Sequence, residues 1–203
     1  MKIYEFDGFP NPARVRMALA EKGLTDRAEF ISVNVPEGEH KRPEFLAKNP
    51  SGAVPVLELE DGQTIAECTA ITEYIDHIDG APTLTGATPA ARGQIHMMQR
   101  RAEQKLLDAV ADYFHHATPG LGPDIETYQN AEWGERRKMQ AYDGMRYFDG
   151  VLAKQDYVAG DAYSMADITT LAGLAFADFV GIAIPPECTS LTEWRARASA
   201  RYS

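Results

Sequence analysis

The apolar and polar positions of this chain change rhythm partway along it. Lys2-Ile3-Tyr4-Glu5-Phe6 alternates with the period of a strand. Pro12 then sits where a first-turn helical proline is tolerated, and Val15, Met17 and Leu19 supply an apolar face that Gly23 closes. Ala28 to Val35 alternates again through Phe30, Ile31 and Val33, which predicts a β-α-β unit with a parallel strand pair and a right-handed crossover. A polar loop, Gly38-Glu39-His40-Lys41-Arg42-Pro43, leads to a short helix around Glu44 to Lys48. Val54 to Leu59 reads as a strand, Asp61-Gly62 as a hairpin turn, and Cys68 to about Ile78 as a helix with Ile71, Tyr74, Ile75 and Ile78 on one face. Residues 1–80 therefore predict β-α-β-α-β-β-α, an α/β module with a small mixed sheet.

From residue 81 the pattern loosens. Gly80, Pro82, Gly86 and Pro89 mark 81–89 as a linker, and 90–203 shows no strand signal. Ile95, Met98, Ala102, Leu106, Ala109, Tyr113 and His116 recur at intervals of three and four, predicting a long helix that Pro119-Gly120 and Gly122-Pro123 end. A second long helix is expected from about Ile125 to Lys154. Ser164 with Asp167 resembles a capping box, flanked by Tyr163 and Ile168 as a hydrophobic staple, and the helix from Met165 to about Val180 is apolar nearly all round. It is the expected core of an all-α second domain. A last helix carries Leu191, Trp194 and Ala198.

Composition narrows the function. A net charge of -10 argues against nucleic-acid or anionic-membrane partners, which need basic surface. The two cysteines, Cys68 and Cys188, lie far apart with no C-x-x-C, which suggests neither a disulfide framework nor a dithiol redox pair. The start, Met1 to Glu5, lacks a leader's apolar run, so the cytoplasm is the expected compartment. Ile168 to Ile184, broken by Asp178, is short for a bilayer span.

The stretch that carries chemistry runs from Lys48 to Cys68. A proline at the head of a strand gives up a ladder donor, and X-Pro is the one common place for a cis peptide. A cis Val54-Pro55 would leave the Val54 N–H and C=O free to pair with an extended peptide. The hairpin then delivers Glu67-Cys68 to a helix start, where backbone N–H groups favour an anion and Glu67 offers a carboxylate to an ammonium. Such a set suits a small zwitterionic peptide; a plain hairpin capped by a helix is the alternative.

Taken jointly, Asn49-Pro50-x-Gly52-x-Val54-Pro55-Val56-Leu57, Ile65-x-Glu67 and Tyr157-Val158-Ala159-Gly160-Asp161 before Ser164-Met165-Ala166-Asp167-Ile168 resemble the soluble glutathione S-transferases over essentially the whole length. The stretch Pro10 to Arg16 looks most like the atypical fungal and bacterial type. The resemblance implies a thioredoxin-like N-terminal domain, an α-helical C-terminal domain and a homodimer that uses glutathione as co-substrate against a small hydrophobic electrophile bound between the domains. It puts the cis proline at Pro55, peptide pairing at Val54, the γ-glutamyl group on Glu67 and the Cys68 backbone, the glycine carboxylate near His40 and Lys41, and Phe9 beside the peptide. Cys68 stands where the family usually has Ser or Thr.

A second departure concerns the thiol. Asp7 to Ala13 holds no Tyr, Ser or Cys to activate it, and Tyr4 lies inside the strand. A free thiol, with pKa near 8.5 to 9, is mostly protonated at pH 7, so the chemistry still needs a thiolate. Candidates are the N–H groups opening the first helix, Asn11, and a water held by His115, which lies one turn after Ala111 and off the apolar stripe. Phe9, Tyr113, His116, Phe176 and Phe179 are candidates for the second-substrate pocket, with plain core as their alternative. Asp112 and His116 share a helix face, but two ligands without a third predict no metal. Peroxide or disulfide reduction and a non-catalytic docking role are the other functions this resemblance admits.

Overall fold

The computed structural model describes residues 1–202, and the chain divides into two compact units, Met1–Pro82 and a second beginning at Thr83. In the first, β1 (Lys2–Glu5), α1 (Pro10–Glu21), β2 (Glu29–Ser32), α2 (Pro43–Leu46), β3 (Val56–Glu58), β4 (Thr64–Ala66) and α3 (Cys68–His77) follow the predicted order. The sheet order is β2-β1-β3-β4, with β1 and β2 parallel and the other pairs antiparallel. Ile3 pairs with Phe30 on one side and Leu57 on the other, and the Asp61-Gly62 turn sets Val56 opposite Ala66. Strands β2 and β3 are shorter than their apolar runs suggest. Helix α1 opens on Pro10, with Pro12 at its third position, and closes as expected before Gly23.

Ile3, Val15, Leu19, Leu57, Ile71 and Ile75 are fully buried between the sheet and helices α1 and α3. Each such side chain contributes about 1.5–3 kcal/mol relative to exposure. Tyr4 is half-buried on the cluster of Val33, Phe45 and Val56, and its hydroxyl donates to Glu58 Oε2 at 3.0 Å. Lys48 Nζ also reaches that oxygen, at 2.5 Å. Buried Glu5 accepts from the Arg16 guanidinium, and Lys22 ties α1 to α3 through Asp76 at 3.4 Å.

The second unit comprises α4 (Pro89–Ala102), a π turn (Glu103–Leu107), α5 (Asp108–Ala117), α6 (Ala131–Leu152), α7 (Met165–Phe179) and α8 (Thr189–Ser199). Two expectations are corrected here. The long helix through Met98 and Tyr113 is not uniform: the π turn interrupts it, and a Cβ at Gly144 of α6 would lie 2.1 Å from the Lys105 carbonyl oxygen. Helix α6 starts at Ala131 rather than near Ile125, because the Asn130 side chain accepts the Trp133 N–H as N-cap.

Helix α7 is the buried centre the pattern predicts, and the capping box at its start is complete. Asp167 accepts from the N–H groups of Val158 (2.8 Å) and Ser164 (3.0 Å), the Ser164 hydroxyl (3.0 Å) and Trp194 Nε1 (3.2 Å). All four donors are neutral dipoles. Burial therefore prevails, and it pushes the Asp167 carboxyl up to about 6. No helix among the described residues is long and apolar enough to cross a membrane.

Candidate active site

In the first unit the predicted peptide-binding residues gather around three chain reversals. Asn49 shapes the first: its side-chain Nδ2 donates to the Ala53 carbonyl at 2.8 Å, and its Oδ1 accepts the Ser51 N–H at 3.1 Å. Lys41 Nζ reaches over the same loop to the Gly52 carbonyl at 2.9 Å. The Val54-Pro55 peptide that follows is cis. Neither the N–H nor the C=O of half-buried Val54 has a hydrogen-bond partner among the described residues.

Hairpin β3-β4 then carries the chain to Glu67, whose φ of 70° makes it the one described non-glycine residue in the left-handed region. Strained backbone of this kind persists where its surroundings over-determine it, and it concentrates at ligand sites. As N-cap of α3, Glu67 makes no side-chain cap bond, and its carboxylate is exposed. Next to it, buried Cys68 donates its S–H to the Asn11 carbonyl at 3.4 Å. That contact joins the start of α3 to the start of α1.

At the start of α1, Phe9 is the N-cap, half-buried and edge-on to Phe6 at 4.8 Å. Pro10 and Pro12 have no N–H, so the helix opening offers one donor in its first three positions, Asn11. This narrows the expectation of an N–H cluster there. The Asn11 side-chain oxygen accepts from Arg14 at 3.0 Å. An amide so held can donate a hydrogen bond but cannot take a proton.

His40 departs from its expected presentation. It is buried, and Nδ1 has no partner among the described residues. Burial, helped by neighbouring Lys41, lowers its pKa and favours the neutral ring. An open depression of about 400 Å³ lined by Met1, Arg27, Glu58 and Glu60 shares no residue with this set.

In the second unit, His115 Nδ1 lies 2.7 Å from Glu126 Oε1. The imidazole is 41% exposed and the carboxylate 10%, and Nε2 has no partner among the described residues. His116 is half-buried and serves the fold: Nδ1 accepts the Asn130 N–H at 3.2 Å, and Tyr128 packs edge-on to it. Asp112, the possible second ligand beside it, is engaged by Arg137 at 2.7 Å. Tyr113 is half-buried, with the Lys138 ammonium 4.7 Å over its ring. Phe114, adjoining His115, packs on Phe176 at 5.4 Å and on Phe179 at 6.1 Å, and Phe179 is 73% exposed. Phe179 is therefore not core. Glu126 was not among the predicted residues; it lies eleven positions from His115 across a Gly-Pro loop, a separation with no helical or strand period to betray it.

Comparison with known proteins bears on both units. Residues 10–78 match the family described as "Glutathione S-transferase, N-terminal domain" and residues 113–201 the one described as "Glutathione S-transferase, C-terminal domain". The chain belongs to the glutathione S-transferases and is an enzyme of that family, which uses glutathione as substrate. It is 60% identical to Glutathione S-transferase 2 of Saccharomyces cerevisiae over all of this chain and 87% of the relative. The crystal structure of Gtt2 from Saccharomyces cerevisiae superposes with a TM-score of 0.96 at 61% identity, covering 97% of this chain and 95% of that one. A glutathione S-transferase domain-containing protein of Marinobacter aquaeolei gives 0.97 at 54%, covering 99% and 98%. These findings overturn the non-catalytic alternative.

Proposed function

We propose that this enzyme binds glutathione in extended form on its first unit, converts the thiol to a thiolate, and adds it to a small hydrophobic electrophile. The observation that carries the reading is the pairing of two free features: the unpartnered Val54 backbone and the exposed Glu67 carboxylate at the head of α3. Val54 would pair with the cysteinyl backbone. Glu67 would hold the γ-glutamyl ammonium while the Cys68 end of α3 faces its carboxylate. Lys41 and His40 would take the glycine carboxylate, and Phe9 would flank the peptide. Loss of the family's usual hydroxyl at Cys68 is tolerable because the contact it shares is with the backbone.

For the thiol proton, the residues present favour His115 over the alternatives. Tyr4 is committed to Glu58, the α1 opening offers one N–H, and the Asn11 amide cannot take a proton. The thiol proton would pass to His115 Nε2; the sulfur would keep the electron pair and attack the electrophilic carbon. This is the sense in which the enzyme is atypical, lacking a Tyr, Ser or Cys activator. The half-buried rings of Phe114 and Phe176 and the exposed ring of Phe179, with Tyr113 and His116 near them in the chain, suit an apolar acceptor. A cytoplasmic homodimer acting in detoxification is the setting we propose, by analogy with the family.

Glutathione titrated into the protein below the free thiol's pKa should give a saturable thiolate absorbance. Glu67→Ala should weaken that saturation by roughly 10- to 100-fold, as expected for losing a hydrogen bond to a charged group. Unchanged affinity would remove the peptide site.

A further inference from the structure

We infer that Glu126 is a positioning residue for His115, fixing which ring nitrogen carries the proton. The inference rests on the reading of His115 as the base and deepens it. The loop between α5 and α6 is built to present this one carboxylate. Thr118 Oγ1 donates to the Phe114 carbonyl at 2.6 Å and accepts the Gly120 N–H at 3.0 Å. Gln129 Nε2 donates to the carbonyls of His115 and Thr118, both at 2.8 Å, and Asn130 N–H donates to His116. The returning chain therefore sits against the end of α5.

Inside that loop Glu126 Oε1 accepts the Leu121 N–H at 2.9 Å and faces His115 Nδ1. Gly120 is what admits it. Its φ is +56°, and a Cβ there would lie 2.3 Å from Glu126 Oε1 and 2.7 Å from Cδ. A side chain there would strain the backbone and push the Glu126 carboxylate from its place.

A nearly buried carboxylate accepts hydrogen bonds and cannot donate them, so the proton between it and the ring belongs on Nδ1. The neutral imidazole is then the Nδ1–H tautomer, and the lone pair lies on Nε2, the nitrogen without a protein partner. When Nε2 takes the thiol proton, the pair passes from a net charge of -1 to zero. The imidazolium forms already facing its counter-charge. The other groups on this end of α5 are engaged elsewhere: Asp112 with Arg137, Tyr113 with Lys138, and His116 with Asn130.

The test combines ¹⁵N-histidine NMR with steady-state kinetics on the full chain, using glutathione and an aromatic halide as probe. The His115 signals are those missing from His115→Ala. Glu126→Gln keeps the volume and an acceptor for Leu121 but can donate its amide N–H to Nδ1. The expected result is loss of the Nδ1–H tautomer, a kcat lowered about tenfold or more, and a KM for glutathione within about twofold of the parent. Gly120→Ala, which displaces the carboxylate without altering it, should do the same, with unchanged tryptophan fluorescence showing that the unit remains folded. A slow His115→Ala beside a Glu126→Gln enzyme of unchanged kcat or tautomer overturns the proposal and leaves the base standing. If His115→Ala turns over at the parental rate, the base reading falls, and Glu126 loses its part in catalysis with it.

Discussion

The two units hold their chemistry in different materials. In the first, the features offered to a ligand are mostly backbone: an unpaired Val54, a left-handed Glu67, a helix opening beside Cys68. In the second the candidate is a side chain locked by another side chain, His115 on Glu126, and the core is braced in the same way, Trp194 on Asp167. Main-chain recognition survives changes of side chain, and side-chain devices fail when one partner is removed. The carboxylates that brace each unit differ in the same way. Cationic Lys48 and the Tyr4 hydroxyl hold Glu58 below the usual carboxylate range, whereas Asp167, surrounded by neutral donors and buried, is raised to about 6.

That contrast breaks most visibly at Asp167. Asp167→Ala leaves the Val158 N–H and Trp194 Nε1 without an acceptor in a dry core and should destabilise the second unit by about 3–5 kcal/mol. Denaturant unfolding followed by tryptophan fluorescence reads this directly, since Trp133 and Trp194 both belong to that unit. By comparison, Glu58→Gln removes a partly exposed pair and should cost under about 1 kcal/mol.

Acid gives the next largest effect, with opposite signs in the two units. Between pH 3.8 and about 6 the folded second unit binds more protons at Asp167 than the unfolded chain does, so this group's contribution falls as pH rises through that window, by roughly 3 kcal/mol. In the first unit, His40 and Glu58 both have lowered folded values, so their contributions are lost as pH falls, His40 first and Glu58 at more acid pH. On acidification from pH 7 to 4, amide protons of β1 and β3 should lose protection before tryptophan fluorescence changes. The reverse order would contradict the assignment. The smallest expected effect is at Cys68: Cys68→Ser keeps a donor to the Asn11 carbonyl, and glutathione affinity should stay within about twofold by the same thiolate titration.

Much of the first unit is legible in sequence because its signals are local: period-2 runs, the Asp61-Gly62 turn, a proline where a strand begins. The capping box at Ser164 and Asp167 is legible for the same reason. The start of α6 is not, since Ile125 and Trp133 fall at a helical interval while Glu126 is drawn away by His115, a partner that no local pattern names. Burial of His40 likewise depends on how its loop folds back over Gly52. The π turn left no trace, because the apolar stripe from Ile95 to His116 keeps the intervals of three and four of a regular helix through it.

That turn also bears on how the chain can change length. A π turn amounts to one residue added to a helix, and here Gly144 on α6 receives its Lys105 carbonyl while Gly173 on α7 makes room for the Leu106 side chain, whose Cγ a Cβ would meet at 2.9 Å. Removing one residue from 103–107 would therefore restore a regular helix and leave the flanking turns near their present register, whereas removing one from the regular turns between Asp108 and His115 would rotate all that follows by about 100°. His115 would turn away from Glu126, although neither residue nor the loop between them had been altered. Residues 103–107 are thus the place where the chain can gain or lose one residue while His115 stays on Glu126.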